Sequence, residues 1–276
     1  MNDNEILSLN FIQKEETEML KKFTDYLNKN GIKYYIWAGT YLGAIRHKGF
    51  IPWDDDIDLI IPRPDYNKLI KILYRNNKVD DNLYGIGFEL NNSDWPFLKI
   101  INKNIIVDEK DQCDENLWLD VFPLDGVPED LTKYAKRITF KQRFLFLKRI
   151  DYRKIKLSSS LTKNLIKKII IILLKPIPYN YLIKNYIKYC SKYDYSTSNY
   201  VRNNVWATTK NNYIDRDKME DATYDFEGLK VNGLKDYDLY LSRCYGKDYM
   251  ELPPVEKRVT HSFKAWKVDN NEESKK

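Results

Sequence analysis

Apolar and polar residues recur along the chain at periods that change from segment to segment. From Phe11 to Asn28 the apolar positions Phe11, Ile12, Met19, Leu20, Phe23, Tyr26 and Leu27 keep the spacing of one helical face, and Asn30-Gly31 supplies a stop. Ile32 to Ala38, rich in Ile, Tyr and Trp, predicts a strand; Gly39-Thr40 predicts a turn, and Tyr41 to Arg46 a short helix. After Pro52-Trp53 comes DDDIDLIIP. There Ile57, Leu59 and Ile61 alternate with Asp56, Asp58 and Ile60, as in a strand with one buried face that Pro62 stops. Asp65 to Tyr74 predicts a helix and Trp118 to Phe122 a strand stopped by Pro123. From Leu131 to Lys192 strand signals fade into Lys-rich helical sequence, broken at Ser158 to Ser160 and at Pro176-Ile177-Pro178. The stretch from Tyr213 to Trp266 is mixed, with a helix over about Tyr237 to Cys244, a stop at Gly246 and a turn at Pro253-Pro254. The expected fold is α/β (α+β), a sheet flanked by helices with a basic helical region attached.

Composition narrows this reading. In 276 residues, 43% hydrophobic and 14% aromatic content supplies enough apolar surface for a packed core, so disorder as the main state is excluded. Cys113, Cys190 and Cys244 are scattered and odd in number, which argues against a disulfide framework or a zinc site and fits a reducing cytoplasm. MNDNEILSLN lacks a signal-peptide pattern, and the longest apolar run, Ile169 to Leu174, is far short of a membrane span, so a protein neither secreted nor integral is expected.

The net charge of +6 conceals a strong asymmetry. Leu131 to Lys192 carries 17 Lys or Arg against one acid, Asp151, while the rest of the chain is acidic overall. Such a segment points to an anionic partner or to a solvated face. No nucleic-acid-binding motif accompanies it, and nucleic acid is not expected.

The sharpest chemical feature is the acidic stretch Asp54 to Asp58. On a strand, Asp56 and Asp58 project from the same face roughly 6–7 Å apart. Like charges so placed call for a cation, and hard oxygens at that spacing suit Mg²⁺ or Mn²⁺. An EF-hand reading fails, because the required glycine is Leu59 and the required glutamate is Asp65. Upstream, Gly39-Thr40 opens a helix after a strand, a geometry that receives phosphate on backbone amides. Asp120, in an apolar strand, offers a third carboxylate. Arg46 lies between the turn and the acids and could bind a diphosphate; Lys99 is a single cation in an apolar strand and could face nucleotide phosphates. Asp54 and Asp55 are expected to orient the ligands or cap a turn, and Asp125 to form a turn.

The stretches WAGTYLGAIRHKGFIPWDDDIDLIIPRPDY (Trp37 to Tyr66), LWLDVFPLDGVP (Leu117 to Pro128) and YGKDYMELPPVEKRVTH (Tyr245 to His261) resemble the LicD family of phosphorylcholine transferases, related to fukutin-type transferases. The resemblance implies a nucleotidyltransferase fold with Asp56, Asp58 and Asp120 as catalytic metal-binding triad and Gly39-Thr40 as the phosphate turn; it also raises His261 as a substrate contact. It implies transfer of phosphorylcholine, or a similar alcohol phosphate, from a CDP-linked donor such as CDP-choline. The acceptor would be a sugar hydroxyl of a lipid-linked glycan (lipopolysaccharide, teichoic acid or capsule), with CMP released. One departure is Phe226-Glu227-Gly228-Leu229-Lys230-Val231-Asn232-Gly233, where relatives are expected to have a proline-rich stretch. The expected organisation is a catalytic core over 1–130, a basic helical region over 131–192, a C-terminal region over 193–266 completing the substrate site, and a disordered tail over 267–276. With lipid-linked acceptors, Ile169 to Leu174 between Lys167-Lys168 and Lys175 reads as an interfacial helix, which predicts peripheral attachment to an anionic membrane at its cytoplasmic face. Two rival readings are a nucleotidyltransferase releasing pyrophosphate and a non-catalytic membrane- or glycan-binding protein.

Overall fold

The computed structural model describes residues 6–108, 116–149, 161–206, 212–258 and 264–268. Helix α1 (Leu9–Lys29) begins where the Ser8 side chain accepts from the Phe11 amide, and it buries Ile12, Glu16, Met19, Leu20, Phe23 and Leu27 along one face. Two-residue strand β1 (Tyr35–Ile36) leads into α2 (Ala38–Arg46), then β2 (Asp58–Pro62) and α3 (Arg63–Arg75). Strands β3 (Leu83–Ile86), β4 (Leu98–Asp108) and β5 (Asn116–Val127) follow. Helices α4 (Leu131–Arg149), α5 (Leu161–Leu174) and α6 (Tyr179–Cys190) make up the basic region. Beyond it lie β6 (Tyr200–Asn203), β7 (Tyr213–Asp215), the hairpin of β8 (Asp221–Phe226) and β9 (Leu229–Leu234), α7 (Tyr237–Tyr245) and β10 (Lys264–Lys267). The Ser158 to Ser160 break lies outside the described residues.

The main sheet is mixed and eight-stranded, running β1-β2-β5-β4-β10, with β3 also on β4, and β6 and then β7 continuing from β5. Among the described strands only β2 and β5 pair in parallel, and that pairing sets Asp58 opposite Asp120. Antiparallel pairing of β4 with β5 sets Lys99 opposite Asp120 from the other side. Three charged residues from distant parts of the sequence therefore stand in one row across adjacent strands.

Four local expectations are corrected. Strand β2 starts at Asp58, so Asp56 lies in the extended segment before it, and Ile57, Leu59, Ile60 and Ile61 are all buried. Both faces of β2 are covered, so the alternation ends at Leu59. Helix α2 starts at Ala38, which puts Gly39-Thr40 inside its first turn. Strand β5 runs through Pro123 to Val127. The Asp120 amide donates to Ile57 in the β2 direction, and amides alternate along a strand, so the Pro123 nitrogen faces the other edge. There β4 pairing ends at Val121 and β6 pairing begins at Leu124, so no ladder bond is lost. Finally, Asp125 is not in a turn: it is fully buried in β5 and takes a bidentate pair from Arg63, at 2.5 Å from Nε and 2.9 Å from Nη2.

The β8–β9 hairpin turns at Glu227 and Gly228, whose φ values of 49° and 78° are those of a tight primed turn. Glu227 accepts from the Phe50 amide at 3.0 Å, and Tyr41 of α2 donates to the Leu234 carbonyl. The C-terminal half of the chain is thus fastened to the back of α2, next to the acidic loop.

Candidate active site

Asp56, Asp58 and Asp120 line one cavity of about 280 Å³. Its other walls include Trp37 and Ala38 at the start of α2, Trp118 and Phe122 of β5, Asn203 and Trp206 beyond β6, and Tyr240 and Tyr245 of α7. No Lys or Arg side chain is among the described lining residues. Burial, and then the carboxylates of Asp56, Asp120 and Asp54, hold the Asp58 carboxyl well above the ordinary carboxylate range, against the opposing pull of Lys99. Negative charge is therefore concentrated on one wall. Among the described residues no three Asp, Glu, His or Cys side chains stand close enough together to hold a metal ion by themselves. The donor chemistry nevertheless suits a hard divalent cation: these are carboxylate oxygens only, crowded together at an energetic cost that a cation would relieve.

The first turn of α2 is shaped by its neighbours. A Cβ on Gly39 would lie 2.8 Å from Oδ2 of Asp54, so glycine is what lets the acidic loop approach the helix. The Thr40 hydroxyl is buried and accepts from the Asp58 amide at 2.8 Å, locking the first residue of β2 against α2. Ala38, on the cavity wall, has φ 45°, a left-handed conformation that costs a residue with a Cβ about 1–2 kcal/mol. Thr40→Val keeps the volume and removes the acceptor. It should lower unfolding free energy by about 1–3 kcal/mol in chemical denaturation; an unchanged midpoint would show that this bond holds nothing.

Two of the cations expected to meet phosphate are engaged elsewhere. Arg46 donates through Nη1 to the carbonyls of Tyr249 at 2.7 Å and Glu251 at 3.0 Å, pinning the segment after α7, and does not line the cavity. Lys99 is 1% exposed, its ammonium lying 3.1 Å from Oδ1 of Asp120, 4.2 Å from the Trp118 ring and 4.5 Å from the Trp95 ring. It sits behind Asp120 in an aromatic box and outside the cavity. Both corrections have one cause: the sheet and the C-terminal turn place acceptors within hydrogen-bonding reach of each cation. His261 lies outside the described residues. Asp54 stands beside Gly39 and Asp55 is buried, both in the loop that carries Asp56.

One acid went unnoticed in the sequence. Glu16 of α1 is 1% exposed, its Oε2 has no hydrogen-bond partner among the described residues, and its pKa is raised well above the ordinary range by burial and then by Asp56, Asp55, Asp54 and Asp120. The available signal was its place in the apolar register with Ile12, Met19, Leu20 and Phe23, where a carboxylate is out of keeping.

Comparison with known proteins fits this geometry. The family described as LicD/FKTN/FKRP, nucleotidyltransferase domain, matches residues 31–159, a span that takes in all three cavity aspartates. The chain is 28% identical over 233 residues to the lipopolysaccharide cholinephosphotransferase LicD of Haemophilus influenzae, covering 83% of this chain and 86% of that protein. Over a shorter stretch of 56 residues it is 48% identical to an uncharacterized protein of Rickettsia prowazekii, 20% of this chain and 21% of the relative. The acidic row lies inside the matched domain, and the likeness to a transferase runs over most of the chain's length, so the chain resembles the LicD family and the comparisons support a transferase.

Proposed function

We propose that the protein transfers phosphorylcholine from a CDP-linked donor to a sugar hydroxyl of a lipopolysaccharide or related surface glycan precursor, releasing CMP. The observation that carries this reading is the pairing of Asp58 with Asp120 across parallel strands on the wall of an aromatic cavity. Asp56, Asp58 and Asp120, with oxygens of the donor's diphosphate completing the set, would hold one or two Mg²⁺ or Mn²⁺ ions, which when bound would supply positive charge to the diphosphate and acidify an attacking hydroxyl. The N-terminus of α2, whose Trp37 and Ala38 line the cavity, would receive a phosphate there. Asp120 accepts the proton of the acceptor sugar hydroxyl as its oxygen attacks the phosphorus that carries the alcohol. The bond from that phosphorus to the bridging oxygen breaks, and CMP departs with the bond's electrons. Lys99 offsets the charge of Asp120 from behind.

The cavity walls favour choline over a polyol. Trp37, Trp118, Trp206, Tyr240 and Tyr245 offer ring surface from which a trimethylammonium group gains, whereas a polyol finds mainly Asn203 and Asn212 for its hydroxyls once the carboxylates hold a cation. At about 280 Å³ the cavity is at the small end for ligand sites and suits the transferred group more than a whole nucleotide.

The test is CMP release from CDP-choline, CDP-ethanolamine, CDP-glycerol and CDP-ribitol, with and without a chelator. CDP-choline should turn over fastest and the chelator should abolish turnover. Pyrophosphate formed from a nucleoside triphosphate would point to nucleotidyl transfer instead, and absence of Mg²⁺-dependent CDP-choline binding to a non-catalytic protein. Tyr245 is 43% exposed, so Tyr245→Leu should fold normally and raise KM for CDP-choline about ten-fold with little change in kcat. An unchanged KM would remove Tyr245 from the choline site.

A further inference from the structure

Helix α5 is oriented the wrong way round for a soluble protein. Leu165, Ile166, Ile169, Ile172 and Leu173 are 60%, 57%, 47%, 68% and 67% exposed, and at 100° per residue they form a single stripe about 120° wide. A surface helix ordinarily turns such a stripe inward, yet here the larger apolar stripe faces out, while the inward side holds Asn164, Lys167, Ile170, Ile171 and Leu174. Exposed Lys168 and Lys175 lie along one flank of the stripe. At its C-terminal end Lys148 of α4 donates to the carbonyls of Leu174 at 3.0 Å and Lys175 at 2.8 Å, so the helix is held in this orientation.

The chemistry of the surroundings identifies what covers the stripe. The span from Leu131 to Lys192 carries 17 basic residues against Asp151 alone, so a second copy of this chain would bring like charge against like. Between α4 and α6 an apolar groove of about 570 Å³, lined by Phe140 and Phe144, has Arg137 and Lys141 on its wall. Apolar side chains beside Lys and Arg match acyl chains beneath anionic headgroups. Fourteen residues at 1.5 Å each reach about 21 Å, short of the roughly 30 Å hydrocarbon core, and no described helix is long and apolar enough to cross a membrane. We propose that α5 lies flat in the headgroup region of an anionic membrane, its Leu165–Leu173 stripe inserted and Lys168 and Lys175 on lipid phosphates. The inference stands on this helix and does not need the transfer chemistry.

Vesicle flotation of the full chain tests it. The protein should float with vesicles of phosphatidylcholine and phosphatidylglycerol and far less with phosphatidylcholine alone, and high salt should weaken the binding. Ile169→Asp combined with Ile172→Asp should abolish flotation, with circular dichroism unchanged because both side chains face outward. Each lysine near an anionic surface contributes about five-fold, so Lys168→Gln with Lys175→Gln should weaken binding about thirty-fold. The proposal is overturned if the wild type ignores anionic vesicles or if the isoleucine pair binds as well as wild type. It is also overturned if the wild type is a dimer that the same pair converts to monomer, which would make a second copy the occupant. Flotation requires no turnover, so its failure leaves the transferase reading in place, and a failed CMP assay leaves the membrane reading in place.

Discussion

Asp58→Asn should slow transfer by about a thousand-fold or more and leave the fold intact. Asparagine would weaken the hold on the cation, whose charge interaction with the reacting phosphoryl group is worth several kcal/mol, and each 1.36 kcal/mol is a factor of ten in rate. The stability side of the prediction is equally specific. The structural bond at this position comes from the Asp58 amide to Thr40, and asparagine keeps it. What asparagine removes is a buried carboxylate whose pKa is pushed up by burial and by Asp56, Asp120 and Asp54. A raised folded pKa means that the ionised form costs stability once the pH is above the unfolded value, and neutral pH is above it. Thermal unfolding of Asp58→Asn at neutral pH should therefore match or exceed that of the wild type, as expected where function is maintained at the expense of stability. Turnover near the wild-type rate would remove the mechanism; a clearly lower Tm would make Asp58 a structural residue.

Lys99→Met should be damaging in both respects. The ammonium is enclosed by Trp95 and Trp118 and is 3.1 Å from Asp120, whose side chain is 14% exposed. Methionine fills the space and leaves that carboxylate without its counter-charge. Breaking a buried pair from one side costs about 3–5 kcal/mol. Turnover should fall too, because Lys99 holds Asp120 in its row opposite Asp58. Adding Asp120→Leu to Lys99→Met should recover most of the stability and none of the activity, since the uncompensated charge disappears together with the proposed base. If Lys99→Met unfolds at the wild-type denaturant concentration, the ion pair contributes nothing to folding.

The parts of this protein legible in its sequence are those governed by local periodicity. The helical spacing from Phe11 onward is α1 to within a few residues, and Pro178 and Gly246 bound α6 and α7 as helix punctuation should. The acidic stretch stood out because carboxylates beside a buried strand pattern need a reason. Local pattern misjudged Pro123, where a strand breaker is harmless because no neighbour faces its nitrogen. It was silent on Glu16, whose significance lies in neighbours about forty residues away, and on the β8–β9 hairpin that fastens the C-terminal half to α2.

Arg46 and Lys99 show the boundary most sharply. By sequence each is a cation near a phosphate turn or in an apolar strand, and charge alone suggests a phosphate partner. Tertiary structure brings fixed acceptors within 3.1 Å of each, the Tyr249 and Glu251 carbonyls for Arg46 and Asp120 for Lys99, and a charge pairs with whatever is nearest at low dielectric. The amino-acid order by itself determined α1, α3, α7 and the buried strands near Leu59 and Leu119, and that acids and a basic segment exist to be explained. Only the folded chain decided that Asp58, Asp120 and Lys99 share a row and that the apolar stripe of α5 faces outward, because strand register and helix orientation are set by contacts between residues far apart in the sequence.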